Sequence, residues 1–100
     1  MARILLAEDD AGVREAVTLA LEAGGHRVDA AVSGPEALDR WRQSRPELVL
    51  LDVMLPGADG LEVCRVIRRH DLVPIIMLTA RADPVDVVVG LESGADDYIT

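Results

Sequence analysis

Three short apolar runs in this chain each end in an acid or a hydroxyl group. The first run leads into Glu8 and Asp9, the second into Asp52, and the third into Thr79. If the runs are neighbouring parallel strands, their carboxyl ends share one edge of a sheet, so the acids and the hydroxyl meet in one crevice. Such a crevice could hold a divalent cation beside a carboxylate that is able to accept a phosphoryl group.

The acids after the first run have an ordinary explanation beside the chemical one. Adjacent carboxylates after a buried strand repel each other and lose hydration, which a hard divalent cation with oxygen ligands would offset. Alternatively, one of Glu8, Asp9 and Asp10 only caps the following helix, and we expect Asp10 to do so. A cap does not require three acids, so both interpretations stay open for this cluster on its own.

Asp52 and Thr79 also have two interpretations each. Asp52 follows four aliphatic residues, so a strand would hold it rigidly as a nucleophile toward a phosphoryl group, but alone it could equally be a solvated acid at a strand end. Thr79 could donate a hydrogen bond to a phosphoryl oxygen or bond only to local backbone. The occurrence of the acids and Thr79 together favours a functional site. Otherwise several unrelated structural roles would have to place such residues at the same edge of the sheet by chance.

The elements that must position these residues alternate between strand and helix. Apolar runs predict strands over residues 3–7, 26–31, 48–53 and 73–78, and the beginning of a fifth strand at 98–100. Amphipathic segments and caps predict helices over 12–23, from the cap Ser33 to about 44, from about 59 to 70, and over 84–91. This order argues for a parallel sheet with helices on both faces, and the most apolar strand, 48–53, is placed at its centre.

The composition excludes several classes of protein. The 100 residues fit one domain, and they carry a net charge of −8 with only one Trp and one Tyr, so this chain is not expected to present a nucleic-acid surface. No apolar run reaches the ~18 residues of a membrane span. The single Cys64 cannot form an internal disulfide, which fits a reducing cytoplasm.

These residues resemble the receiver domain of bacterial two-component response regulators, which has the CheY-like, flavodoxin-type fold. The similarity lies in five segments that follow in order along the chain, namely 4–10, 50–57, 59–60, 74–80 and 90–100. The last segment is most similar to the OmpR/PhoB branch. The resemblance implies an α/β fold, a doubly wound parallel sheet with strand order 2-1-3-4-5, forming one receiver domain over residues 1–100.

The resemblance also implies roles for individual residues. Asp52 matches the phosphorylated aspartate, and Glu8 and Asp9 match the acidic pair that holds Mg²⁺ together with it. The backbone carbonyl of Met54 matches a further metal ligand. Thr79 matches the switch hydroxyl and Tyr98 the switch aromatic residue, which rearrange on phosphorylation.

By the same resemblance, the phosphoryl donor is a sensor histidine kinase. The expected function is phosphorelay signal transduction, with transcription regulation through a C-terminal DNA-binding output domain that is not present here. The domain would be a cytoplasmic phosphoacceptor rather than an enzyme with turnover, and the longer protein would form receiver homodimers.

The chain departs from the family pattern at its C-terminal end. The family has a lysine and a proline directly after the position of Thr100, then a fifth helix, whereas this chain stops there and contains no lysine. We therefore expect a truncated receiver with an incomplete fifth strand, no fifth helix and an exposed apolar surface on one face of the sheet. Such a chain is expected to be a destabilised monomer or a non-native, strand-exchanged dimer.

Two other functions remain open. An aspartate-nucleophile phosphatase on a similar sheet usually has a second acid two residues after its nucleophile, where this chain has Met54. A module that binds partners without being phosphorylated would have no need of the full set of Glu8, Asp9, Asp52 and Thr79.

Overall fold

Strands and helices alternate along the chain. The computed structural model describes residues 1–78 and 91–99, without the side chain of Tyr98. The strands are β1 (Arg3–Ala7), β2 (Arg27–Ala31), β3 (Leu48–Asp52), β4 (Ile75–Leu78) and β5 (Asp97–Ile99), and the helices are α1 (Ala11–Ala23), α2 (Gly34–Ser44) and α3 (Gly60–His70). The predictions for these elements are confirmed to within two residues at each end. The helix predicted over 84–91 lies outside the described residues except for Leu91.

The five strands form one parallel sheet in the order β2-β1-β3-β4-β5. This confirms the doubly wound order and places β3 at the centre, as its apolar composition predicted. In this register Ala7 lies opposite Leu51, and Asp52 lies opposite Leu78. The carboxyl ends of β1, β3 and β4 therefore lie at the same edge of the sheet.

Apolar side chains cover the central strands on both faces. On one face a large core lies between the sheet and the helices α2 and α3, and it includes Leu51, Ile67 and Met77, each with no exposed surface. On the other face Leu6 packs with Val17 of α1 in a smaller cluster. None of the helices in the described ranges has the length and apolar character of a membrane span.

Helix α1 covers its face of the sheet only in part. None of its residues is buried in the described structure, and Val13 of α1 and Ile99 of β5 are each 49% exposed. A cavity of about 560 Å³ opens beside them, with Leu6, Val17 and Leu78 on its apolar side. Apolar side chains on this face of the sheet are therefore partly exposed to solvent.

Each helix begins at a residue whose side chain accepts a hydrogen bond from the N–H three residues later; these capping residues are Asp10, Ser33 and Asp59. The cap by Asp10 was predicted. At α2 the predicted capping box closes differently, because Glu36 accepts from the N–H of Val32 at 3.3 Å rather than from that of Ser33. The Glu36 carboxylate therefore holds the backbone one residue before the cap Ser33.

Arg68 joins the end of α3 to the beginnings of β4 and β5. Its guanidinium group donates to Asp96 Oδ2 at 2.9 Å and to three backbone carbonyls, those of Gly94, Asp71 and Val73. Asp96 Oδ2 also accepts from the N–H of Ile75 at 2.7 Å. Because the Arg68 side chain is only 21% exposed, these bonds are partly shielded from water.

Removing this arginine should destabilise the protein strongly. Arg68→Ala removes the charged donor of Asp96, which keeps only the N–H of Ile75, and one donor from each of three carbonyls, so we expect a loss of about 3 kcal/mol in the free energy of unfolding. Arg65→Ala on the same helix is the matched control. Its 3.5 Å pair with Glu62 is exposed, so it should cost under about 0.5 kcal/mol. Urea unfolding followed by circular dichroism measures both, and equal losses would contradict the prediction.

Candidate functional site

Three carboxylates meet at the carboxyl edge of the sheet. Glu8 and Asp9 directly follow β1, and Asp52 is the last residue of β3. One oxygen from each of the three side chains lies within 4.8 Å of the others. Glu8 is buried, Asp52 is half-buried and Asp9 is exposed, so the cluster extends from the sheet edge to solvent. The structure therefore brings together the acids that the sequence singled out.

The loop after β1 is held by backbone hydrogen bonds and by one arginine. The N–H of Glu8 donates to the carbonyl of Ala31 at 3.0 Å, and Glu8 Oε1 accepts from the N–H of Asp10 at 3.1 Å. Arg14 Nη1 donates to the carbonyls of Glu8 at 3.0 Å and Asp9 at 3.3 Å. Arg14 was not among the residues predicted to belong to the site. The available signal was a cation in the first turn of a helix, where the helix dipole disfavours it.

Asp52 is positioned by the backbone around it. Its Oδ1 accepts from the N–H of Met54 at 3.1 Å. Gly60, the first residue of α3, donates its N–H to the carbonyl of Val53 at 2.8 Å. A Cβ atom on Gly60 would lie only 2.0 Å from the carbonyl oxygen of Asp52. Helix α3 can therefore begin against the end of β3 only because residue 60 has no side chain.

The close approach of the acids changes the protonation of Glu8. Burial is the main cause that raises its pKa, from 4.5 to about 7. A side-chain hydrogen bond with Asp52 and the charges of Asp52 and Asp9 raise the pKa further, while the N–H of Asp10 acts in the opposite direction. Near neutral pH, Glu8 therefore holds a proton for much of the time when no cation is present.

The donor set fits a hard divalent cation. Mg²⁺ binds oxygen ligands and is usually held by one or two carboxylates with water or phosphate oxygens completing the octahedron. Glu8, Asp9 and Asp52 supply carboxylate oxygens, and a cation would offset both the burial of the Glu8 charge and its repulsion by Asp52 and Asp9. The backbone carbonyl of Met54 as a further ligand stays a prediction, since the described contact of Met54 with the cluster is its N–H.

The side chains of the two predicted switch residues are outside the described part of the structure. Thr79, the residue after β4, lies outside the described residues. Tyr98 lies on β5 with its backbone opposite Met77, and its side chain is not described. Their roles as switch hydroxyl and switch aromatic residue stay predictions.

Comparison with protein families agrees with this geometry. The sequence model of the response regulator receiver domain matches residues 4–100. The chain belongs to the response regulator receiver domain family. The resemblance predicted from the sequence is thereby confirmed, including the similarity to the OmpR/PhoB branch.

Curated relatives include named transcriptional regulators. Transcriptional regulatory protein AfsQ1 of Streptomyces coelicolor is 61% identical over 99 residues, which are 99% of this chain and 44% of that protein. DNA-binding response regulator MtrA of Mycobacterium tuberculosis is 55% identical over 97 residues, which are 97% of this chain and 42% of that protein. This chain thus spans less than half the length of these relatives.

Solved receiver domains share the architecture. The activated receiver domain of Klebsiella pneumoniae RstA superposes with a TM-score of 0.94 at 36% identity, covering 97% of this chain and 83% of that chain. The chemotaxis response regulator CheY4 of Vibrio cholerae gives a TM-score of 0.93 at 30% identity, covering 98% of this chain and 84% of that chain. The CheY-like fold is therefore confirmed by structure as well as by sequence.

Glu8 should make stability depend on pH. Because folding raises its pKa from 4.5 to about 7, the folded state binds this proton more tightly than the unfolded chain. Stability from Glu8 is therefore full below about pH 4.5 and is lost as the pH rises to about 7. In a chelating buffer at pH 8, Glu8→Gln should melt on the order of 5 °C above the parent protein, and the difference should vanish near pH 4.5.

The control for this melting experiment is Glu22→Gln, because Glu22 is an exposed acid on α1. It should follow the parent protein at every pH. The prediction is wrong if Glu8→Gln melts below the parent at pH 8, because Glu8 would then stabilise the fold as a carboxylate.

Gly60→Ala should displace the end of β3. The new methyl group would collide with the carbonyl of Asp52, so we expect a loss of about 3 kcal/mol in the free energy of unfolding. Gly12→Ala on α1 is the matched control, because its Cβ would meet Asp10 Oδ1 at an ordinary 3.4 Å and alanine favours helix. Urea unfolding of both variants tests this, and an unchanged midpoint for Gly60→Ala would contradict it.

Proposed function

We propose that this receiver domain accepts a phosphoryl group on Asp52 from a sensor histidine kinase, in a reaction that depends on Mg²⁺. The observation that carries the proposal is the position of Asp52, fixed at the end of the central strand within reach of Glu8 and Asp9. Membership of the receiver family supports it. The domain is in this proposal a regulatory phosphoacceptor and not an enzyme with turnover.

Asp52 supplies the nucleophile. A carboxylate oxygen of Asp52 forms a bond to phosphorus while the bond from phosphorus to the histidine nitrogen breaks, and the nitrogen keeps the bonding electron pair. The product is an acyl phosphate on Asp52. The N–H of Met54, 3.1 Å from Oδ1, holds one oxygen and so fixes the orientation of the carboxylate for in-line attack.

Glu8, Asp9, Asp52 and the carbonyl of Met54 would hold the cation. When bound, Mg²⁺ supplies positive charge beside the phosphoryl oxygens. The exposed Asp9 can be reached from solvent, whereas the buried Glu8 has to release its proton before it interacts with a cation as a carboxylate. We therefore expect Mg²⁺ to bind more tightly as the pH rises through about 7.

In this proposal, the response to phosphorylation is carried out by a longer protein that contains this domain. Relatives that extend beyond this chain are named as a transcriptional regulatory protein and a DNA-binding response regulator. We infer a cytoplasmic regulator whose phosphorylated receiver shifts Thr79 and Tyr98 between two arrangements. That shift would change receiver homodimerisation and thereby DNA binding by an output domain.

Phosphorylation can be tested with a small phosphodonor. After incubation with acetyl phosphate and Mg²⁺, mass spectrometry should show one labile phosphoryl adduct, which Asp52→Asn abolishes. Asp39→Asn, a change of an exposed acid on α2, is the matched control and should retain the adduct. In a Mg²⁺ titration without donor, Asp9→Asn should weaken binding on the order of tenfold or more, because it removes a charged ligand.

Two results would contradict the proposal. An adduct that persists in Asp52→Asn would place the phosphoryl group elsewhere. Release of phosphate from an added monoester at many turnovers per chain would favour the phosphatase alternative instead.

A further inference from the structure

A second cavity lies far from the carboxylate cluster, between the ends of two helices. Helix α3 begins against Asp52 and ends at His70, so its length of about 16 Å separates the two sites. The cavity has a volume of about 360 Å³, within the range of small-molecule sites, and is lined by Trp41, Arg42, Arg45, His70 and Asp71. The mechanism proposed above uses none of these residues.

Two arginines give this cavity a charge opposite to that of the whole chain. The net charge of the protein is −8, yet Arg42 and Arg45 both line the cavity. The guanidinium carbon of Arg42 lies 5.9 Å from the centre of the Trp41 ring. Its pair with Asp39 is long, 3.5 Å, and solvent-exposed, so an incoming anion displaces it easily. Arg45 forms no ion pair with any described residue.

The one acid in the lining has its oxygens occupied. Asp71 Oδ2 accepts from the indole N–H of Trp41 at 2.9 Å, and Oδ1 accepts from the N–H of Val73 at 2.9 Å. Asp71 therefore fixes the tryptophan in place instead of pairing with Arg42 or Arg45. The two guanidinium groups remain available to a ligand.

The backbone of Arg45 provides an independent observation. Arg45 ends α2 in the left-handed region at φ 47°, the one non-glycine residue with positive φ among those described. Glycine is the usual residue at such helix ends because it has no Cβ penalty there. Strained backbone positions of this kind cluster at ligand sites. Arg45 thus lies at a position whose backbone conformation favours glycine.

We propose that this cavity binds the phosphate group of a small molecule, held by Arg42 and Arg45. Two guanidinium groups match the two negative charges of a phosphate monoester, and their planar arrays of N–H donors bind tetrahedral oxyanions through paired hydrogen bonds. Trp41 forms an apolar wall of the site, which His70 also lines. The site is separate from Asp52 and its phosphorylation.

The single tryptophan of the chain makes the proposal directly measurable, because Trp41 is both in the cavity and the only indole fluorophore. Inorganic phosphate is titrated at constant ionic strength with a chelator present, so that divalent cations do not contribute. Fluorescence should change along a saturable curve. Asp52→Asn should leave that curve unchanged, since the carboxylate cluster takes no part.

The decisive variant is Arg45→Gly. Glycine suits the left-handed backbone, so the variant should melt at the same temperature as the parent or higher, while its affinity for phosphate falls on the order of tenfold or more. Arg27→Ala, which removes an exposed arginine on β2, is the matched control for net charge and should retain the parent affinity. A folded Arg45→Gly protein with unchanged affinity would overturn the proposal.

Two further results would also overturn it. A fluorescence change that rises linearly with phosphate would indicate no site at all. An equal response to acetate at the same ionic strength would show that the cavity selects negative charge in general and not a phosphate group.

Discussion

The convergence of three carboxylates at one sheet edge, one of them buried, is the constraint on which this domain depends. The parallel register of β1 and β3 brings Glu8 and Asp9 next to Asp52, and the same register buries Glu8. Burial raises the pKa of Glu8 most, and the hydrogen bond with Asp52 and the charges of Asp52 and Asp9 raise it further, so Glu8 tends to keep its proton unless a cation offsets the charge. The clustering of carboxylates that suits the site to binding a cation thus also destabilises the fold locally when no cation is bound.

The positions of the three acids could be predicted because two simple rules determine them. An unbroken apolar run such as Leu48–Leu51 indicates a strand covered on both faces, and the carboxyl ends of parallel strands share an edge. Periodicity and caps then gave the helices, including the cap at Asp10. The strands, helices and caps are each determined by residues close together in the sequence, so the sequence alone was enough to predict them.

Contacts between distant side chains could not be predicted in the same way. Trp41 and Asp71 are 30 positions apart, and Arg68 and Asp96 are 28 apart. Their pairing depends on how the ends of α2, α3 and β5 come together, and a single sequence carries no signal for that distance. The requirement for glycine at position 60 was hidden for the same reason, because the carbonyl it faces belongs to residue 52.

Helix α3 is anchored at both of its ends. Its first residue touches the carbonyl of Asp52, and Arg68 near its last residue is bonded to Gly94 and Asp96 just before β5. An α-helix is stiff along its axis, so these contacts link the end of β3 to the residues just before β5 through one rigid element. The length of α3 therefore sets the distance between the end of the central strand β3 and the beginning of the edge strand β5.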